Sequence, residues 1–219
     1  MSFFKSLFSK KQPLPTRTLT QASELQRHDI FKFGDSFGLP QAMRKQQLQV
    51  VEVNTVEFKH SHYAQLVTQG ASDQLVYISL PKNSKQQVKY SLLLSRAEVE
   101  SLFDLEAFSD IFEEPGNATL TPVTQSHNYG DMVASHYIQK EFMTTGYLHE
   151  QDYRGSTPPQ YSEDSHGREF EYYSLTGDQE QRFIEIFIFE NGDTDVYLSF
   201  FKSKNEIVEL WINDTENAK

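Results

Sequence analysis

Cysteine is absent from the 219 residues of this chain. That absence excludes disulfides, thiolate zinc sites, cysteine-ligated iron–sulfur clusters and every cysteine nucleophile. Three glycine signatures are missing as well: GxGxxG, GxxxxGK[ST] and GxSxG do not occur, and Gly34-Asp35 and Gly130-Asp131 read as turn dipeptides. Dinucleotide binding, P-loop chemistry and the serine nucleophile elbow therefore have no support. Positive charge is scarce, with 20 Lys and Arg against 31 Asp and Glu, a net charge of −11.

That charge is unevenly placed. Residues 1–17 hold Lys5, Lys10, Lys11 and Arg17 and no acid, a local charge of +4, so the rest of the chain carries −15. An acidic body with no longer basic run than Lys10-Lys11 repels polyphosphate, and nucleic acid is not expected as a partner. Aromatic residues are plentiful: 17 Phe, 11 Tyr and one Trp. Chains this aromatic fold.

The first residues read MSFFKSLFSKKQPLP. Phe3, Phe4, Leu7 and Phe8 share one face of a short helix, which Pro13 and Pro15 end. The stretch is too short and too interrupted for a signal peptide or a membrane span, and Ser2 leaves no site for N-myristoylation. It is expected to dock on its own or a partner chain or to fray, with contact to an anionic membrane or a membrane protein as the alternative.

Further along, FKFGDSFGLP (31–40) predicts a short strand and a tight turn, and LQVVEVNTVEF (48–58) a strand with β-branched alternation. Strands are also expected at 63–69, 74–80, 89–95, 118–124 and 132–143. Ser95 with Glu98 is a capping box that opens a helix near 96–112, broken near Asp104. Its seven acids against one arginine over 96–114 make a solvated face. The polar stretch 146–167 holds Tyr147, Tyr153 and Tyr161 and is long for a connection. The C-terminal third predicts an antiparallel meander through 169–175, 181–190, 195–201 and 206–212, with Asn191-Gly192 as a hairpin turn. Its second strand is apolar on both faces and should be covered on both. FGDSF (33–37) and YGDMV (129–133) each precede a strand-rich segment, a weak hint of two similar halves.

Few constellations carry chemistry. His60 and His62 could share a strand face, with Glu57 on the other unless the chain bends; a polar hairpin end is the favoured account of them. Glu185 stands among Phe and Ile in a strand that should be buried, where a carboxyl either finds a cationic partner, reaches solvent, or becomes a general acid. Asp193 and Asp195 suit a turn and fall short of a calcium loop. Trp211 is expected in core or interface packing. No residue is assigned as catalytic, cofactor-binding or metal-ligating, and no cofactor is expected.

The start SFFKSLFSKKQPLP, the element FKFGDSF and the stretch QRFIEIFIFENGDTDVYLSFF resemble, nearly end to end, a bacterial family defined by a domain of unknown function that includes an enterobacterial cytoplasmic protein. The resemblance implies no activity, cofactor or catalytic residue. In the enterobacterial members the gene lies near those of a membrane-stress protein and small membrane proteins, which implies a cytoplasmic protein working near the inner membrane.

The expected architecture is α+β, two strand-rich lobes of mainly antiparallel sheet with few helices. A leader (1–17) precedes an N-terminal lobe (18–115) and a C-terminal lobe (116–219). The expected function is that of a non-enzymatic protein-binding or accessory protein. Phe3, Phe4, Leu7 and Phe8 form its anchoring face, and Tyr147, Tyr153 and Tyr161 a second contact surface. A small-ligand binder or enzyme using a cleft between lobes, built on Glu185 or on His60 and His62, and a homo-oligomer covering its own sheet, are the alternatives.

Overall fold

A computed structural model describes residues 17–40, 43–71, 74–80, 87–123, 129, 132–158, 166–177 and 181–213. The leader residues Phe3, Phe4, Leu7 and Phe8, together with Tyr161, lie outside the described residues.

Four strands form the first meander: β2 (Gln47–Phe58), β3 (Ser61–Gln69), β4 (Leu75–Leu80) and β5 (Gln87–Leu94). Four more form the second: β7 (Tyr137–His149), β8 (Arg168–Gly177), β9 (Arg182–Phe189) and β10 (Thr194–Ser203). Three strands stand outside them: β1 (Ile30–Phe33), β6 (Thr119–Leu120) and β11 (Ile207–Trp211). Helix occurs between the meanders, as α1 (Arg96–Leu102) and α2 (Leu105–Ser109), followed by a 3-10 turn at Asp110–Phe112. The capping box forms as expected, with Ser95 receiving the Glu98 amide, and the break falls at Phe103-Asp104, where the Asp104 carboxylate caps α2 through the Ala107 amide.

The two meanders do not make two lobes. The last strands pair with each other, β5 with β10, over eight residue pairs from Leu94↔Val196 to Gln87↔Ser203. The first strands also pair, β2 with β7, over Thr55↔His149 to Phe58↔Gly146. The result is a closed eight-stranded antiparallel barrel with three added strands and two short helices. The fold is all-β, which corrects the α+β, two-lobed expectation. An isolated four-stranded meander has two edges of unpaired N–H and C=O groups, and joining edge to edge removes all four.

One further correction concerns the C-terminal meander. β8, β9 and β10 follow in order, but β11 leaves the barrel and pairs with β1. The free side of β10 is already taken by β5, so the last strand has no place there. Trp211 therefore sits on an edge strand, 39% exposed, rather than in a core.

Register decides which side chains face inward. Around the wall, Gln65↔Ser79↔Lys89↔Phe201 share one face, as do Tyr197↔Glu185↔Ser174↔Glu141. The smaller apolar cluster lies on this face. It draws on all eight barrel strands, through Val56, Val67, Tyr77, Leu93, Leu148, Phe170, Phe187 and Tyr197, and among the described residues on no element outside them. A cluster built that way is the lumen. Tyr77 on β4 meets Tyr197 on β10 at 5.0 Å between ring centroids, passing over β5, as only a concave side allows. The larger cluster lies on the outer face and joins Leu66, Ile78, Tyr90, Leu198 and Ile184 to the covering elements, among them Phe31, Phe33, Leu102 and Ile111. Strand β9 thus has its two apolar faces covered, one by the lumen and one by this outer core.

Closure depends on a glycine. Gly146 lies opposite Phe58, and a Cβ there would stand 2.4 Å from the Phe170 ring and 2.8 Å from the Glu57 carbonyl. The absent side chain lets the ring lie flat over the seam.

Candidate functional site

The lumen holds an aromatic cluster and becomes polar toward one mouth. Ser79, Ser91, Ser174, Ser199 and Glu185 are all buried and all face inward. Between them stands an ion pair. Lys89 of β5 reaches past β10 and donates to Glu185 Oε1 of β9 at 2.5 Å. The Tyr172 hydroxyl donates to the same oxygen at 2.8 Å, and the ammonium lies 5.2 Å from the centre of the Tyr63 ring. Ser199 donates to Ser91 at 2.7 Å directly across the β5–β10 seam.

Burial pushes Glu185 up, but the Lys89 ammonium, helped by the Tyr172 hydroxyl, outweighs it and holds the carboxyl below its ordinary value. Burial pulls Lys89 down, and Glu185 and Tyr63 more than reverse this, so the amine is held above its ordinary value. Both groups are charged at neutral pH. Tyr63 is pushed up to about 12, chiefly by burial, and burial with the Glu185 charge drives Tyr172 well above its ordinary value. These phenols remain neutral donors.

Above the pair opens a cleft of about 500 Å³. Lys89 and Glu185 lie in it, Phe58, Tyr172, Phe183 and Phe201 contribute aromatic surface, Lys59 and Glu141 bring further charge, and His60 adds an imidazole. Phe183 and Phe201 meet edge to face at 5.4 Å. The geometry of β7 shapes one side. Its register against β8 shifts twice, between Gln139 and Glu141 and between Glu141 and Thr144, and Met143 takes a φ of 49° between them. Bulges of this kind re-aim side chains, and here both Glu141 and Thr144 line the cleft, with the Thr144 hydroxyl donating to Glu141 at 3.1 Å.

The residues singled out in the sequence fall in different places. Glu185 has a cationic partner and lines a cleft. His60, in the β2–β3 turn, lines that cleft too, whereas His62 stands opposite Glu57 on the outer face. Glu57 is bonded instead to His149 at 2.8 Å, and both are buried. The two histidines do not converge, and among the described residues no three His, Asp or Glu gather as a metal would need. Tyr147 is inside β7 with its ring 3% exposed and its hydroxyl on Glu169. Tyr153 is half-buried beside His149, at 5.4 Å between rings. Asp193 and Asp195 flank the Asn191-Gly192 turn, where Gly192 takes the left-handed φ of 85°.

Lys89, Tyr172 and Tyr63 carry the site yet escaped the sequence reading. A signal for Lys89 existed: KYSLLLS alternates Lys89, Ser91, Leu93 with Tyr90, Leu92, Leu94, and a lysine within an apolar strand is the natural counterpart of Glu185 within another.

Compared with known proteins, the chain matches no family model, no curated protein and no solved structure. Among the described residues no helix is long and apolar enough to cross a membrane.

Proposed function

We propose that the chain is a non-enzymatic binding protein that holds a small molecule in the mouth of its barrel. One observation supports this above the rest: a buried ion pair lies at the floor of a cleft of about 500 Å³ with aromatic walls. Barrel mouths are a common place for such sites, in which apolar walls supply area and a few convergent polar groups set orientation. The reading adopts the small-ligand alternative and moves it from a cleft between lobes to the barrel lumen. The test is fluorescence titration with N-phenylnaphthylamine, an uncharged probe that brightens in apolar sites. Saturable binding to the native protein, abolished by Thr176→Trp at the mouth, is expected. Binding unchanged in that variant would place the probe elsewhere and refute the reading.

A second role is compatible with the first and rests on the leader. Its face of Phe3, Phe4, Leu7 and Phe8, flanked by lysines, suits docking on a protein partner or an anionic inner-membrane surface from the cytoplasm. Deleting residues 2–11 should lower co-sedimentation with anionic vesicles or recovery of a partner. Recovery unchanged in both assays would remove the leader from the account.

A further inference from the structure

Resting on the binding reading just given, we infer that the occupant of the lumen is an uncharged amphipathic molecule whose polar end presents a hydrogen-bond donor and an acceptor together, as a carboxamide or lactam does. The inference comes from counting what the floor still offers. An ammonium has three donors, and Lys89 uses one on Glu185 and one on Tyr63. A carboxylate accepts about four bonds, and Glu185 receives Lys89 and Tyr172 on the same oxygen. The pair therefore keeps spare donor and spare acceptor capacity in the cleft that both residues line. A neighbouring lumen group outside the cleft lining is unpaired as well. The Ser79 hydroxyl, buried and on the lumen face directly across from Lys89, has no hydrogen-bond partner.

Charge decides the rest. The floor pair is neutral as a unit, so a ligand carboxylate would be set against Glu185, and against Glu141 higher in the cleft. A ligand ammonium would be set against Lys89, with Lys59 nearby. At the floor either ion would also lose its hydration without gaining a free counter-charge, because Lys89 and Glu185 already neutralise each other there, and Lys59 and Glu141 lie at the rim. A neutral amide loses least and can use both spare bonds. Its apolar body has Phe58, Phe183 and Phe201 to lie against. The bulged β7 supports the view that this mouth is built for an occupant, since Met143 is held in the left-handed region where Glu141 and Thr144 are turned inward.

Three compounds of one shape test this on the native protein: naphthamide, naphthoate and naphthylmethylamine, each displacing N-phenylnaphthylamine at pH 7. Naphthamide should displace the probe at about tenfold lower concentration than either charged compound. Equal potency of the three, or a charged compound as the strongest, overturns the inference while leaving the binding reading intact. Failure of the probe itself to bind overturns both. The Lys89→Met/Glu185→Leu double variant, which keeps the apolar walls, should still bind the probe and should lose the preference for the amide. A preference that survives there would place its source elsewhere and overturn the inference.

Discussion

The two sides of the barrel wall are made from the same strands by alternate residues, and they do different work. The outer side holds Leu66, Ile78, Leu198, Ile184 and Ile186, fully buried against covering elements. The inner side of the same strands holds Lys89, Ser79, Ser91, Ser199 and Glu185 among aromatic rings, and part of its volume is left open as a cleft. A wall held up by its outer core does not need its lumen filled. Lumen positions are then free to be polar, and several polar groups there bond to one another, as Lys89 does to Glu185 and Ser199 to Ser91.

Breaking the lumen pair on one side only should have the largest effect. Glu185→Leu leaves the Lys89 ammonium buried without a counter-ion and should cost about 3–5 kcal/mol in denaturant unfolding. The Lys89→Met/Glu185→Leu double variant should recover most of that. Equal losses in the single and double variants would mean that the pair is not the unit of stability here.

Truncation of the outer core comes next. Leu66→Ala removes a fully buried side chain and should cost about 2–5 kcal/mol through lost transfer and a residual cavity. Shortening a residue at the cleft, as in Phe201→Leu, should cost less, because that side chain is only half-buried and already faces open volume. Similar losses at the two positions would erase the distinction between the faces.

Titration separates the faces more gently. Glu185 is held below its unfolded value of 4.5, so its contribution is full above pH 4.5 and fades as pH falls through the lowered folded value. Lys89 is held above its unfolded value of 10.5, so its contribution is full below pH 10.5 and fades as pH rises through the raised one. The stability of the native protein relative to the double variant should therefore form a plateau between those limits and fall on both sides. Tyr63, pushed up to about 12, adds an alkaline loss above pH 10 in the native protein. A flat difference across the whole range would show that the pair does not ionise as described.

The smallest effect is expected where an ion pair lies outside either core. Lys45 and Asp35 approach to 2.6 Å with both side chains more than half exposed. Lys45→Ala should change stability by less than about 1 kcal/mol, and raising the salt should shrink that further.

Much of the wall was legible along the chain, because strands announce themselves by alternation. The stretch 181–190 reads as apolar on both faces, and β9 is covered on both. Ser95 with Glu98, and Asn191 with Gly192, are local chemistry and appear where the sequence places them. Closure was not legible. Whether β5 pairs with β10, and β2 with β7, depends on strands about 90 to 110 residues apart whose edges carry no local mark of their partners. The same distance hid the site. Glu185 is conspicuous alone, but its meaning comes from Lys89, 96 positions away. The motifs FGDSF and YGDMV precede β2 and β7, but Gly130 and Asp131 fall outside the described residues.

The most direct test is N-phenylnaphthylamine affinity measured side by side in Leu66→Ala and Thr176→Trp, at a temperature where both remain folded. The division of labour between the faces predicts that Leu66→Ala, though destabilised, binds the probe like the native protein, and that Thr176→Trp, though folded, does not bind it. Probe affinity that falls in Leu66→Ala and persists in Thr176→Trp would contradict it.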